Sequence, residues 1–217
     1  MSLGFDLYWS FRSPYSYLLL PRLLALVAGH EVECRVRPVL PLAVRTPEFF
    51  DNRDPLWTAY LLRDIRREAE FLGMPIRWPV PDPVLRDPVQ GYRVAQPHIH
   101  RLTHLGVAAA ERGRGLEFLR EASAVIWDGS VDRWHEGTHL AGAAQRAGLD
   151  WAVLTAAVDT DADRLAAIVA ANQTAQREAG HWGVPMMVFE GEPFFGQDRF
   201  EQLAWRLRRA GMQPRHG

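Results

Sequence analysis

The sequence is poor in cysteine. Its 217 residues include one, Cys34. An intrachain disulfide is therefore excluded, and with it the small disulfide-stapled folds. Dithiol redox chemistry becomes the weakest enzymatic option, because Cys34 has no partner thiol. Long hydrophobic runs are also missing: no apolar run reaches the roughly 18 residues needed for a membrane-spanning helix. Lysine is absent, and arginine carries all of the 25 basic charges against 26 acidic ones. The arginine excess reads first as composition bias. A formal net charge of −1 gives no global field that would attract nucleic acid. The N-terminus lacks a basic region followed by an apolar core and a cleavage site. The resulting expectation is a soluble cytoplasmic protein with no nucleic-acid or membrane partner. Internal repeats and low-complexity segments are absent as well.

What is present suits one globular domain, or one domain carrying a large insertion: 47% of residues are hydrophobic and 24% charged. Near the N-terminus, Phe5, Leu7 and Trp9 alternate with polar or amphipathic residues, which predicts a strand. Ser13 and Pro14 then read as a cap and first-turn proline. The helix they open would run to about Ala28, with a kink at Pro21. Alternation from Glu31 predicts a second strand, whose buried face carries Cys34 as a structural residue. Strand, helix and strand make a βαβ unit. From Pro41 to about Gly180 the pattern is helical. Expected helices cover residues 55–72, 98–111, 116–126, 134–147 and 151–158, and a capping box at Thr160–Asp163 opens another to Ala179. A proline-rich connection, GMPIRWPVPDPVLRDP, interrupts them. Strand signals return at Met186–Glu190 and Pro193–Phe195, before a last helix from Arg199 to Ala210. The predicted class is α/β: one sheet domain from residues 1–40 and 181–217, with a helical insertion over 41–180.

Several residue groups have chemical potential. Ser13-Pro14-Tyr15-Ser16 sits at a strand–helix junction. A serine there is commonly only a cap. The same place also carries the positive end of a helix dipole, which favours an anion. A hydroxyl there could donate to a thiolate brought by a ligand. Val184-Pro185, at a strand start, is a candidate cis bond. Gly196-Gln197-Asp198-Arg199 opens the last helix. It reads either as an ordinary cap or as a polar pocket in which helix N–H groups take a carboxylate and Asp198 an ammonium. Arg45, Asn52 and Arg53 lie in a polar loop; solvation is the plain reading, and clamping a carboxylate the functional one. Trp57, Tyr60, Trp78 and Trp182 offer aromatic surface, mostly for a core but with room for a substrate wall. His135-Glu136-Gly137-Thr138-His139 matches H-E-x-x-H, but Gly137 weakens the helix such a site needs. His98, His100 and His104 lack completing ligands. No metal is expected.

Taken together, DLYWSFRSPYSYLLLPRL, NRD, GMPIRWP and GVPMMVFEGEPFFGQDR resemble the 2-hydroxychromene-2-carboxylate isomerase family, which groups with kappa-class glutathione transferases and DsbA-type proteins. The resemblance implies a thioredoxin-like domain with an all-helical insertion and glutathione as cofactor. It implies that Ser13 stands beside the glutathione sulfur, and that Val184, next to cis Pro185, pairs with the cysteinyl part. Gly196, Gln197 and Asp198 would take the γ-glutamyl head group. Arg45, Asn52 and Arg53 would hold a small aromatic carboxylate substrate. The position of a family tyrosine falls near Asp82, which points to a neighbouring branch with another electrophile. The implied activity is isomerisation by thiolate addition, rotation and elimination, in aromatic compound catabolism and as a homodimer. A kappa-like glutathione transferase or peroxidase and a noncatalytic thioredoxin-like binding module are the alternatives.

Overall fold

The computed structural model describes residues 3–51 and 53–215. Asn52 therefore lies outside the described residues. Strand β1, Leu3–Trp9, buries Phe5, Leu7 and Trp9 on one face. Helix α1, Pro14–Gly29, follows at once, with Pro14 in its first turn. It continues through Pro21, which lies on the solvent side. Strand β2, Val32–Pro38, runs parallel to β1, from Leu3↔Val32 to Trp9↔Pro38. Helix α1 supplies the crossover between the two parallel strands.

The sheet is completed from the other end of the chain. Strand β3, Met186–Phe189, pairs antiparallel with β1 through Asp6↔Val188, Leu7↔Met187 and Tyr8↔Met186. Strand β4, Glu192–Phe195, pairs antiparallel with β3. Glu190 and Gly191, both at positive φ (50° and 80°), form the tight link, as a two-residue hairpin requires. Among the described residues the sheet has the order β2-β1-β3-β4. Helix α9, Phe200–Arg209, closes the chain after a 3-10 turn at Gln197–Arg199.

Between β2 and β3 lie α2 (Leu42–Arg45), a 3-10 turn at Pro47–Phe50, α3 (Pro55–Leu72), α4 (Pro97–Glu111), α5 (Gly115–Trp127), α6 (His139–Arg146), α7 (Trp151–Thr160) and α8 (Ala162–Glu178). The proline-rich stretch from Gly73 to Gln96 forms neither helix nor strand. Two expectations need correcting. The helix predicted from Trp134 begins at His139, because Arg133 and Gly137 take left-handed φ values of 52° and 59°. Trp134 is instead buried, its indole N–H donating to the Pro81 carbonyl at 2.7 Å. His135 and His139 thus do not share a helix, and the described residues hold no group of three metal-ligating side chains. The predicted capping box also fails. Thr160 ends α7 by donating to Ala156 O, and Asp161 pairs with Arg164 rather than capping α8.

Buried polar groups lock the helices to the sheet layer. The Trp127 indole N–H donates to Phe11 O at 2.8 Å, tying α5 to the end of β1. Asn172 Nδ2 donates to Pro38 O at 3.0 Å and Gln173 accepts from Leu40 N–H at 3.1 Å, tying α8 to the end of β2. A buried carbonyl without a partner costs about 1–3 kcal/mol. Trp127→Phe keeps most of the ring volume and removes the donor. Urea unfolding of this variant should show a loss of about 1–3 kcal/mol; an unchanged midpoint would mean that water replaces the bond.

Candidate functional site

Ser13 occupies the N-cap of α1 in extended conformation (φ −93°, ψ 115°). Its hydroxyl oxygen accepts from the Ser16 N–H at 3.2 Å. The same hydroxyl donates to the Val184 carbonyl at 3.3 Å, long for an O–H···O bond. Val184-Pro185 is cis. The site thus joins the first helix's positive end, a half-buried hydroxyl and the loop before β3. Ser16 is fully buried, and its hydroxyl has no hydrogen-bond partner in the structure. Tyr15 points elsewhere: it donates to Asp64 on α3 at 2.5 Å. Burial, then that bond, raise its phenol well above the ordinary range.

The loop before β3 is held from both sides. Buried Gln176 donates to Gly183 O at 2.7 Å and accepts from Arg45 Nη1 at 3.1 Å. Arg45 Nη2 also donates to Trp182 O at 2.7 Å. His181 accepts the Gly183 N–H at 2.8 Å and stacks on Phe195, with ring centroids 3.8 Å apart. A side chain on Gly183 would run into Phe195 and His181, so only glycine fits that approach. Burial, followed by repulsion from Arg177, lowers Arg45 to about 10. Arg45 is therefore first a brace for the loop, and a cation whose charge would gain from an anion.

Gly196 sits at φ 98°, and its N–H donates to Pro185 O at 2.9 Å. A side chain there would collide with the Asp198 carboxylate. The buried Gln197 side chain accepts from Arg22 of α1, so it is committed inward. Asp198 is mostly exposed and pairs with Arg199 at 2.9 Å. Arg22, lowered mainly by burial and supported electrostatically by Glu68, Glu201 and Asp198, adds a cation that the sequence did not single out. An accessible carboxylate and a nearby guanidinium can receive an ammonium and a carboxylate together.

A continuous arc of aromatic rings leads from this loop toward Arg12, the residue before Ser13. Trp182 meets Phe49 at 5.6 Å, Phe49 meets Phe50 at 5.2 Å, and Phe50 meets Tyr92 at 5.2 Å. The Arg12 guanidinium lies 5.8 Å from the Tyr92 ring and 5.3 Å from Trp78. Arg53 covers Phe50 at 4.1 Å and Trp57 at 4.5 Å. Phe49, Trp57, Trp78 and Trp182 keep substantial exposure. Arg12 makes a two-point pair with Asp82, at 3.1 and 2.9 Å. Burial alone would weaken its charge, but Asp82 and the Tyr92 phenol outweigh it and raise Arg12. Asp82 also accepts from Trp78 Nε1 and the Val84 N–H. Burial lowers Arg53; Tyr92 opposes this, and Arg12 and Arg86 add smaller repulsions. Arg53 has no carboxylate partner among the described ion pairs.

Residues 5–208 match the family model described as the DSBA-like thioredoxin domain. The chain belongs to the DSBA-like thioredoxin domain family. Solved structures agree on the fold. A 2-hydroxychromene-2-carboxylate isomerase matches with a TM-score of 0.73 and 19% identity, over 96% of each chain. A probable DsbA oxidoreductase from Streptomyces coelicolor matches with a TM-score of 0.67 and 19% identity, over 96% of this chain and 89% of that one. The cytosolic disulfide reductase DsbM from Pseudomonas aeruginosa, solved with GSH, matches with a TM-score of 0.60 and 18% identity, over 95% and 100%. No curated protein matches by sequence. In this DSBA-like chain both ends of the first helical turn carry hydroxyls, Ser13 and Ser16, and the single cysteine lies on β2.

Sequence reasoning chose Ser13, Val184, Pro185 and Gly196, which the fold brings together through the bonds above. Arg45 lies at the Trp182 end of the aromatic arc and Arg53 over its middle, at Phe50 and Trp57; their charged neighbours are Arg177 and, separately, Arg12 and Arg86. Arg12, Arg22, Gln176 and Tyr92 were missed, and Asp82 was named only as the place of a family tyrosine. The only signal for Arg12 was its place beside Ser13, since its partner lies 70 positions away. Removing the Asp82 charge strands a largely buried guanidinium, which costs about 3–5 kcal/mol. Asp82→Asn should therefore lower the unfolding free energy by about that amount in guanidinium titrations, whereas Asp198→Asn, at a mostly exposed pair, should leave it nearly unchanged. Equal effects would contradict the assigned difference.

Proposed function

We propose that this protein is a glutathione-dependent isomerase of a small aromatic 2-oxo acid related to 2-hydroxychromene-2-carboxylate. One observation carries the reading: the Ser13 hydroxyl, at the N-terminus of α1, faces the Val184 carbonyl beside cis Pro185. The donor set fits glutathione. Val184 O holds only a long contact to Ser13 that a peptide N–H could replace, in the manner of an added strand. Asp198 and Arg22 offer opposite charges to an α-amino acid head group.

When bound, glutathione supplies a thiolate that adds reversibly to a conjugated carbon, so that a double bond becomes single, rotates, and is restored on elimination. The chain's own residues do the rest. Ser13 donates its hydroxyl hydrogen toward the sulfur, and the helix end adds its partial positive charge. Such an environment lowers a thiol below its usual value of about 8.5. Gln176 and Arg45 hold the loop that presents Val184. Arg53 and the exposed rings offer a flat, positively charged surface for an aromatic carboxylate. Arg12, neutralised by Asp82, positions Trp78 and Tyr92 rather than binding substrate itself.

The DsbM structure with GSH supports glutathione as the ligand, and a lone cysteine favours an addition without net redox change. The same cytosolic relative supports a cytoplasmic setting. A glutathione transferase would share every one of these binding features, so product analysis decides: an isomerase leaves free glutathione constant, and a transferase consumes it.

Ser13→Ala removes the donor to the sulfur and a helix cap worth about 1 kcal/mol. Glutathione affinity should change little while turnover falls by about two orders of magnitude, as for loss of one transition-state donor. Ser13→Thr, which keeps the hydroxyl, should recover most of it. Unchanged turnover in Ser13→Ala would remove Ser13 from the mechanism. Asp198→Ala should instead weaken glutathione binding by about tenfold in calorimetry, the loss of one charge-assisted bond. Equal affinity would move the head group elsewhere.

A further inference from the structure

Strand β2 is an edge of the sheet. The Val39 N–H donates to Trp9 O at 2.8 Å, toward β1. Backbone groups alternate along a strand paired in parallel, so Glu33, Arg35 and Arg37 also face β1. Val32, Cys34, Val36 and Pro38 face outward. Pro38 has no N–H, and Asn172 occupies its carbonyl. The Val32 N–H is bonded to His30 O at 2.9 Å. The N–H groups of Cys34 and Val36, and the carbonyls of Val32 and Cys34, have no partner among the described hydrogen bonds. A groove of about 1160 Å³ follows this edge, lined by residues 31–38 and walled by Leu24, Val27, Leu116 and Ile168. An open edge beside apolar walls is a template for another strand.

The occupant is written in the strand itself. Read outward from Cys34, EVECRVR sets Glu33 against Arg35, Val32 against Val36 and Glu31 against Arg37. We propose that two copies of this chain pair β2 with β2, antiparallel, on a two-fold axis through Cys34, fusing two four-stranded sheets into one. In this register the Cys34 N–H donates to the Cys34 carbonyl of the second copy. The Val36 N–H donates to the second copy's Val32 carbonyl, and symmetry doubles both bonds. Glu33 then opposes Arg35 of the second copy in a non-hydrogen-bonded pair, where side chains approach most closely.

Other registers that match outward groups fail. An axis through Glu33 or Arg35 sets that charge against itself. An axis through Val36 sets Arg35 against Arg37 and brings Pro38, without an N–H, opposite Cys34. An axis through Val32 sets Glu31 against Glu33. Within one chain, Asp6 already serves Arg35 at 2.8 Å and Arg37 at 3.1 Å, while Glu33 reaches Arg35 only at 3.6 Å and is 62% exposed. Glu33 is therefore the charge with most to gain.

Sedimentation and site-resolved amide exchange test this on the full chain. A dimer is expected at micromolar concentration. The Cys34 and Val36 amides should be as protected as those of Glu33 and Arg35, and should lose that protection on dilution. Glu33→Arg, on an exposed side chain, should weaken the dimer by about tenfold or more. Glu33→Gln should weaken it less. A monomer at all concentrations overturns the proposal. So does a dimer in which the Cys34 and Val36 amides exchange freely, or one that Glu33→Arg leaves equally strong.

Discussion

Asp6↔Val188, Leu7↔Met187 and Tyr8↔Met186 join β1 to β3, and through these pairs two distant parts of the chain share one sheet. The helices α2–α8 are threaded between them. Once β3 lies beside β1, the loop that leads into it must pass the end of β1, where α1 begins. Ser13 and Val184, 171 positions apart, therefore become hydrogen-bond neighbours. The site does not need a flexible approach of two bodies. It follows from strand register, and a slip of one residue would turn every buried side chain of β3 to the wrong face.

Charge is arranged on this frame by burial more than by number. Every cation is an arginine, which keeps its proton at any physiological pH. Arg12 is buried but answered by Asp82, so its field is largely spent locally. Arg45 and Arg53 are buried in part without a carboxylate partner among the described ion pairs, and both are lowered by desolvation. An anionic ligand would relieve that cost, so these two places favour carboxylates even though the whole chain is nearly neutral. The aromatic arc beside them supplies the apolar surface. At Asp198 and Arg22 opposite signs stand together, which suits a zwitterion better than a simple anion.

Local pattern made much of the fold readable. Alternation placed β1 and β2, and cap-and-proline pairs placed the starts of α1 and α3, where Ser13 and Asp54 do accept the backbone N–H groups expected of caps. Boundaries failed where backbone conformation depends on distant packing. Trp134 leaves the helical pattern because the Pro81 carbonyl offers its indole a partner. Thr160 and Asp161 had the composition of a cap, but Ala156 O and Arg164 compete for their side chains. The candidate site divides in the same way. Ser13 and Gly196 carry local signals, a cap and a positive-φ turn. Arg12, Gln176 and Arg22 act through partners 70, 131 and 175 positions away, which no local window can reveal.

The central claim is that Ser13, at the first turn of α1, receives a thiol supplied by a ligand. The most direct measurement is the thiol pKa of glutathione bound to the protein, followed by thiolate absorbance across a pH titration. The account predicts a value clearly below the usual thiol figure of about 8.5. An unshifted value, or no binding at all, would contradict it.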